Sequence, residues 1–443
     1  MNANDGNTAG GFGYTYVATD GAADSASSAT VTIHVTAVND APAVTAPASA
    51  SQTVQYSDAI AASTIFAHDI DSPQTALSAS MSWKKSGDPS FVTTQPLGGL
   101  TLTPTGTSSD DPRTWQLSGR SMVAAGIYVV RVTVSDGQAS SYADITITVT
   151  LEDTTLEYSG DTLKATATTA SNSTATVSLA AVIREATDGN LGDKLNTTQL
   201  KFTVYKYSDT AMTTPVGGSP CTGSVSYTGT GFGSAACTVS LTADNYVVKI
   251  ELLTNGYYRA DVEDQAITVV NPGTGFTTGG GWLMETSLGS RSNFGFTVKY
   301  LKNLNIQGNS LYIYRKTVAA SSVANPAGGF LPAGQYNWII KSNAMGTLSQ
   351  TCTATTPKVC NASFEGKSNI TAVNRATGVA YSLGGNYNFH VDVTDNSEPG
   401  SSPGAGPDTY TIRVWDSTLG DYYKLPGFPT QTKIDGGNIQ VKP

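Results

Sequence analysis

The sequence predicts an all-β chain, built of tandem sandwiches followed by a larger C-terminal β-domain, and three observations carry that prediction. The first is a repeated hairpin pattern. Between Tyr128 and Thr150, Val130, Val132 and Val134 alternate with polar residues, Asp136 and Gly137 open a polar connection, and Ile145, Ile147 and Val149 alternate with Thr146, Thr148 and Thr150. Alternation with period two puts the apolar side chains on one face of each strand, so the stretch is a β-hairpin with one wet face. The second is the spacing of turn signals, such as Gly87-Asp88-Pro89, Pro96-Leu97-Gly98 and Asp110-Asp111-Pro112, with no sustained helical periodicity between them. The third is composition. Hydrophobic residues at 39% and aromatics at 9% suffice to build cores, while charged residues at 13% fall well below the usual share of about 25%, which leaves the surface to Thr, Ser, Asn and Gly.

The hairpin pattern recurs and so divides the chain. From Tyr14 to Thr36, Asp20 and Gly21 hold the turn and Val31, Ile33 and Val35 alternate with Thr32, His34 and Thr36. The connection is two residues longer than in the first case, an even slip that keeps the same face inward. A looser copy runs from Tyr246 to Val270 and a fourth from Tyr410 to Val441. Four terminal hairpins mark four domain ends. Residues 1–43 hold only the last two strands of a domain, 44–150 are a complete sandwich of immunoglobulin or cadherin type, 151–271 a second of immunoglobulin type, and 272–443 form a β-rich module. Two strands cannot close a sandwich, so the first hairpin is expected either to belong to a longer protein or to complete its sheet on a neighbouring molecule. In the second sandwich, Leu241 five residues before Tyr246 suits a tyrosine corner, the phenol bonding back to the main chain.

Charge and cysteine usage point outside the cell. A net charge of -9 makes nucleic acid and anionic membrane poor partners and cations better ones. Four cysteines fall in two local pairs, Cys221 with Cys237 and Cys352 with Cys360, at spacings that match neither a metal site nor a redox motif. Two hairpin-stapling disulfides in an oxidising compartment are expected, four free buried thiols being the alternative. The first residues have neither a basic start nor an apolar core, and no run is long enough to span a membrane, so the chain is expected to be a mature or partial extracellular product.

Two stretches resemble known families. The linker AVNDAPA (Ala37 to Ala43), following ATVTIHVT, resembles the junction of bacterial cadherin-like tandem surface repeats, and the likeness extends loosely through AHDIDS (Ala67 to Ser72) and VTVSDG (Val132 to Gly137). Residues 276–443 resemble a C-terminal module of large secreted bacterial proteins, carried by FTTGGGW (Phe276 to Trp282), NFGFTVKY (Asn293 to Tyr300), YNFHVDVTD (Tyr387 to Asp395), YTIRVWD (Tyr410 to Asp416) and the closing GGNIQVKP. The resemblance implies export and a β-rich fold without an assigned catalytic activity; the insertion around Cys352 to Cys360 departs from it.

Calcium is the ligand the residues favour. Asp69 and Asp71 point the same way from an extended segment, and Asn39, Asp40 and Asp136 can add oxygens at the domain junction. In cadherin-like repeats such acidic residues rigidify consecutive domains; the alternative is solvated turn carboxylates. Asp395, Glu398 and Asp408 frame a second oxygen-rich loop, and Asp188, Asn190 and Asp193 a third. Enzymatic machinery is not evident: the three histidines, His34, His68 and His390, lie in no hydrolase, metalloprotease or phosphate-loop motif. Aromatics including Trp282, Tyr257, Tyr258, Tyr422 and Tyr423 could stack on surface glycans, whereas alternate aromatics such as Tyr312 and Tyr314 are what strands use for cross-strand packing. The expectation is therefore a non-enzymatic extracellular structural or adhesive protein, a surface stalk or the subunit of a filament or layer. It would associate with copies of itself or with neighbouring repeats through the N-terminal hairpin. The alternative is the carbohydrate-binding end of a secreted enzyme or adhesin.

Overall fold

The computed structural model describes residues 11–443 apart from 35–37, 94–95, 188, 230, 254, 272–274, 304, 355–356 and 397–405. Among them the regular structure is all β, with thirty-one strands and three short 3-10 turns. The chain divides into two compact units, Met1–Glu152 with Asp188–Gly192, and Asp153–Thr187 with Asp193–Pro443.

The first unit contributes β1 (Gly11–Tyr16), β2 (Ala29–His34), β3 (Ala43–Thr45), β4 (Ser51–Gln55), β5 (Ser63–His68), β6 (Ser78–Lys85), β7 (Leu100–Thr105), β8 (Arg113–Gly119), β9 (Gly126–Ser135) and β10 (Ser140–Thr150). Strands β1 and β2 pair only with each other among the described residues, antiparallel, with Tyr14 opposite Val31. The other eight form an immunoglobulin-like sandwich of two four-stranded sheets, ordered β4-β10-β9-β6 and β3-β5-β8-β7. The predicted hairpin is its spine. Val130, Val132, Val134, Ile145 and Ile147 are fully buried, each worth about 1.5–3 kcal/mol of apolar burial, and Trp115 of the facing sheet packs in one cluster with Val134, Ala67 and Leu77. Strand β4 departs from the antiparallel rule and runs parallel to β10, with Ser51 opposite Thr146 and Gln55 opposite Thr150.

A second sandwich follows, made of β11 (Glu152–Tyr158), β12 (Leu163–Ala165), β13 (Thr174–Glu185), β14 (Gln199–Lys206), β15 (Cys221–Ser224), β16 (Ser226–Tyr227), β17 (Phe232–Thr242), β18 (Asp244–Leu253), β19 (Tyr258–Ala260) and β20 (Glu263–Val270). Its sheets run β16-β17-β13-β11-β19 and β12-β20-β18-β14-β15. Every residue of β20 is buried, because one face lines the sandwich and the other lies against the module that follows. Ala266 and Val247 of the sandwich share a core with Leu311, Ile313, Ile339 and Val373 of that module.

The module is a single eleven-stranded sheet of β21 (Phe276–Glu285), β22 (Ser290–Tyr300), β23 (Ile306–Val318), β24 (Gly334–Cys352), β25 (Cys360–Asn374), β26 (Ala380–Ser382), β27 (Tyr387–Asp395), β28 (Thr409–Asp416), β29 (Gly420–Lys424), β30 (Thr432–Lys433) and β31 (Gly436–Lys442). The main path runs β29-β28-β27-β25-β24-β23-β22-β21-β31. The sheet wraps around one aromatic core, in which Phe294, Phe296, Tyr312, Tyr314, Trp338, Phe364, Phe389 and Tyr410 meet Ile439 and Val441 of the last strand.

The fourth expected hairpin is not one. Strand β28 has its two edges taken by β27 and by β29 with β30, so β31 must find another partner and pairs with β21, Phe276 lying opposite Lys442. Glycines permit the approach: a side chain at Gly281 would meet the Gly436 carbonyl oxygen at 2.3 Å, and Gly437 sits at φ +100° against Gly280. Both disulfides form. Cys352 and Cys360 staple the β24–β25 hairpin as expected, being directly opposite in register. Cys221–Cys237 does something different, tying β15 of one sheet to β17 of the other, because the chain changes sheets between Ser224 and Ser226.

The tyrosine corner at Tyr246 is present, its hydroxyl donating to the Thr242 carbonyl at 2.8 Å. The device recurs at the start of three more strands, with Tyr128 donating to Ala124 at 2.8 Å, Tyr336 to Pro332 at 2.9 Å and Tyr387 to Leu383 at 3.0 Å. Each phenol reaches the carbonyl four residues back and pins the turn that feeds a core strand. Replacing Tyr246 by Phe is expected to keep the fold and lower unfolding stability by about 1 kcal/mol in chemical denaturation; an unchanged midpoint would show that the bond contributes nothing net.

Candidate metal centre and other candidate residues

The five junction residues come together, although the sequence spreads them over 97 positions. Asp136 caps its own turn, one oxygen accepting from the Gln138 and Ala139 amides at 2.6 and 2.7 Å, while the other accepts from the Asn39 side-chain amide at 2.8 Å. These bonds, the two to backbone first, hold its carboxyl below the usual range. Asp71 accepts from the Asp40 amide at 2.8 Å. Asp69 accepts with one oxygen from the amides of Asp71 and Ser72, at 3.1 and 2.8 Å. Its other oxygen is buried without a hydrogen-bond donor, in a side chain only 4% exposed. Burial first, and the Asp71 carboxylate beside it second, push the Asp69 carboxyl above the ordinary value. Among the described residues, no three His, Cys, Asp or Glu side chains converge closely enough to hold a metal by themselves. What the junction offers is the Asp69 and Asp71 pair, with the Asn39, Asp40 and Asp136 groups hydrogen-bonded around it.

The second oxygen-rich loop has a structural task. Asp408 accepts from the amides of Asn396 at 2.9 Å and of Ile439 at 2.8 Å, and Asp395 accepts from the Val441 amide at 2.9 Å. Two carboxylates thereby tie β31 to the β27–β28 pair along the edge that no strand pairs among the described residues. Glu398 lies outside the described residues, as does Asp188 of the third loop. There, Asn190 caps the Gly192 amide at 3.0 Å and Asp193 pairs with Lys194 at 3.0 Å.

The candidate stacking aromatics are mostly occupied. The Arg291 guanidinium covers the Trp282 ring at 3.7 Å. Tyr257 and Tyr258 tilt against each other at 6.5 Å, and Tyr258 is fully buried. Tyr312 and Tyr314 are core residues, as their alternation predicts. Tyr422 packs on Tyr387 at 5.1 Å, and Tyr423 stacks on Tyr314 at 4.1 Å. Of the histidines, His68 pairs with Asp111 at 2.6 Å on the surface, and the side chain of His34 lies outside the description. His390 bridges two strands, its Nε2 lying 3.0 Å from Asp392 and its Nδ1 3.6 Å from Glu365. Ser363 is 3.4 Å from the same Nε2. Serine and aspartate therefore compete for one nitrogen, and the imidazole cannot relay a proton between them as a triad requires.

Two buried polar centres escaped the sequence reading. Inside the module Glu285, only 2% exposed, accepts from the hydroxyls of Tyr312 (2.9 Å), Tyr423 and Ser292. Between sandwich and module, Glu263 pairs with Arg315 and, at 3.2 Å, with Arg375. Asp264 beside it accepts from the Asn337 side chain at 2.9 Å, its carboxyl raised by complete burial. The available signal was Arg315 itself, a cation straight after the apolar run Leu311 to Tyr314. Replacing Glu263 by Ala leaves two buried guanidinium groups uncompensated, so a loss of roughly 3–5 kcal/mol is expected in denaturant unfolding; a loss under 1 kcal/mol would mean that the network is not buried in solution.

The acidic neighbours of His390, Asp392 first, raise its pKa above 6.5. A base whose folded pKa is raised adds stability that is fully present below the unfolded value of about 6.5 and is lost as pH climbs through the folded value. Stability should therefore fall on going from pH 6 towards pH 8, and His390→Gln should remove that part of the slope, as read from denaturant midpoints across the range.

No known protein family matches the chain, and no curated protein does. Among solved structures, the chain is similar to titin domains A168–A170, at 11% identity and a TM-score of 0.28 over 91% of this chain and 99% of that one. It is also similar to the titin domains Z1Z2 in complex with telethonin, at 13% identity and TM-score 0.26 over 53% of this chain and 98% of that one. Bovine butyrophilin matches at 10% identity and TM-score 0.22 over 52% of this chain and 99% of that one. At such scores the architecture rests on the chain's own sheets and registers.

Proposed function

We propose that this chain is a non-enzymatic structural or adhesive protein of the extracellular space, a stalk or a subunit of a filament or layer, stiffened by calcium where its first hairpin meets its first complete sandwich. The observation that carries this reading is the buried oxygen of Asp69, without a donor and beside a second carboxylate. Two acidic side chains held together, Asp69 buried and Asp71 half-buried, repel each other, and a hard divalent cation is the partner that converts the repulsion into binding. Asp69 and Asp71 would hold the ion, with Asn39, Asp40 and Asp136 supplying or orienting further oxygens, so residues before and after the linker would answer to one centre. The two disulfides are compatible with an oxidising compartment, and no helix among the described residues is long and apolar enough to cross a membrane.

Assembly is assigned to the hairpin. With its Asp-Gly turn aligned on that of β9–β10, Tyr14, Tyr16 and Ile33 stand where Val130, Val132 and Ile147 are fully buried, yet they are 58%, 52% and 50% exposed. An apolar face, on two strands that pair only with each other among the described residues, suits addition to a sheet edge of a second copy, where main-chain bonds give strength and alternate side chains give register. Such contacts propagate when they do not close.

Sedimentation of the intact chain, of a chain lacking residues 1–36 and of Asp69→Asn, each in calcium and after chelation, tests both parts. Heavy species are expected only from chains with the hairpin. Calcium should also raise the stability of the first unit, by about 2.7 kcal/mol at a hundredfold excess over Kd, in the parent and not in Asp69→Asn. Protons compete with the cation for the two carboxylates, and burial together with Asp71 raises the Asp69 carboxyl, so that gain should shrink on acidification. Polymers from the truncated chain would sink the hairpin mechanism, and equal stability with and without the cation would sink the calcium site.

A further inference from the structure

We infer from the strand registers that the chain is graded for tension: the first complete sandwich is arranged to bear load along the chain, and the C-terminal module is arranged to yield before it, by shedding its last strand. The inference rests on the structural reading above and adds what such a protein would do under pull.

Tension reaches the first sandwich at the N-terminal end of β4 and leaves at the C-terminal end of β10. These strands are parallel neighbours, so the two points of attachment lie at opposite ends of the pair. The pull must slide one strand along the other. The ladder begins with the Thr146 amide on the Ala50 carbonyl at 2.8 Å and ends with the Tyr56 amide on the Thr150 carbonyl at 3.0 Å, and a sliding force loads every bond between them at once. Strand β3, which precedes β4, belongs to the opposite sheet and can be drawn out without touching that ladder.

In the module the same pull meets the opposite geometry. Strands β21 and β31 are antiparallel, and Phe276, at the entrance of β21, lies opposite Lys442, at the exit of β31. Both points of attachment are at one end of the pair. Tension therefore opens the ladder bond by bond from the Gly275 amide on the Lys442 carbonyl, and each step is resisted only by the bonds then at the fork. Strand β21 is held from behind, where the hydroxyls of Thr162 and Thr268 donate to the Gly280 and Gly279 carbonyls at 3.2 and 3.1 Å. Strand β31 has no strand on its far side among the described residues, where the Asp395 and Asp408 carboxylates accept from its Val441 and Ile439 amides, so it is the strand that leaves. Its departure would uncover the edge of β21 and take Ile439 and Val441 out of the core while the sandwiches stay folded.

Pulling the whole chain by handles at its two ends in an optical trap tests this, because the disulfides label each event. Residues 44–150 contain no cysteine, so the step from the first sandwich should keep its length when the chain is reduced. Reduction frees the segments closed by Cys221–Cys237 and Cys352–Cys360, which span 16 and 8 positions, so the steps that contain them should lengthen by about 5 and 3 nm. The expected order is short, low-force openings for the β1–β2 hairpin, whose ends Gly11 and His34 are also opposite, and for β31, then the rest of the module, with the first-sandwich step at no less than about twice the force of the module step. Val54→Pro removes a donor facing β10 and should bring that step down to the module's force; Thr53→Pro, whose amide faces away, should not. Should Val54→Pro fail to fold, pairing Thr277→Cys with Val441→Cys, which are opposite in register, should abolish the β31 opening under oxidising conditions and leave the sandwich step unchanged. A first-sandwich step, recognised by a length of roughly 30 nm that reduction leaves unchanged, at or below the force of the module step, or a β31 opening that survives the new disulfide, overturns the inference. The calcium and sedimentation results would be untouched by that outcome, so the two readings fail separately.

Discussion

Strand β20 is the constraint on which the second unit depends. A strand buried along its whole length is ordinarily the centre of a parallel sheet covered by helices. Here it is antiparallel to β18 and short, and its outer cover is another sheet. The second sandwich therefore cannot present a solvated face at β20 and still fold as it does. Polar groups on the shared wall must find partners across it, and the charges of Glu263, Arg315, Arg375 and Asp264 do so. Such a network adds little to net stability compared with apolar packing, but it tolerates only one register between the two layers. Sandwich and module are joined as one body, with the wall deciding how they fit.

The acidic residues of the chain divide by the same accounting. Asp395 and Asp408 spend oxygens on the amides of β31, Glu285 on three hydroxyls and Glu263 on two arginines. Each is a carboxylate whose burial is offset by a donor within the fold. Asp69 differs in its neighbour: Asp264 also has one buried oxygen without a donor but feels Lys249 and Arg375, whereas the group beside Asp69 is the Asp71 carboxylate. In a chain where charges make up 13% of residues, carboxylates are placed sparingly. An arrangement that leaves one uncompensated is the kind that an external cation completes.

The sequence made the strands legible and their partners much less so. Period-two burial in Val130 to Val134 and Ile145 to Val149 needs no knowledge of the rest of the chain, because a half-buried strand writes its orientation into its own alternation. The tyrosine corner at Tyr246 is likewise local, since donor and acceptor are four residues apart. Partnership is a different quantity. Nothing in Gly436 to Lys442 distinguishes an edge on β28 from an edge on β21; the decision lies with β29 and β30, which occupy β28 first. Cys221 and Cys237 show the same limit, for a spacing of 16 fits a hairpin as well as a crossing between sheets. The junction residues were legible as a set, because AHDIDS and VTVSDG carry them in short motifs, whereas Glu263 and Arg315 act only through a wall that the sequence does not announce.

The parallel pairing of β4 with β10 shows how a choice of partner becomes a property. An antiparallel neighbour would have satisfied the same amides and buried the same valines, at similar stability and with a simpler connection. It would also have put both chain ends on one side of the pair, as β21 and β31 do. Equilibrium stability does not separate these arrangements; the direction of an applied force does. A chain with both kinds, joined in sequence, has mechanical order that no composition, charge or core volume records, and that order is set where the first and last strands of each domain meet.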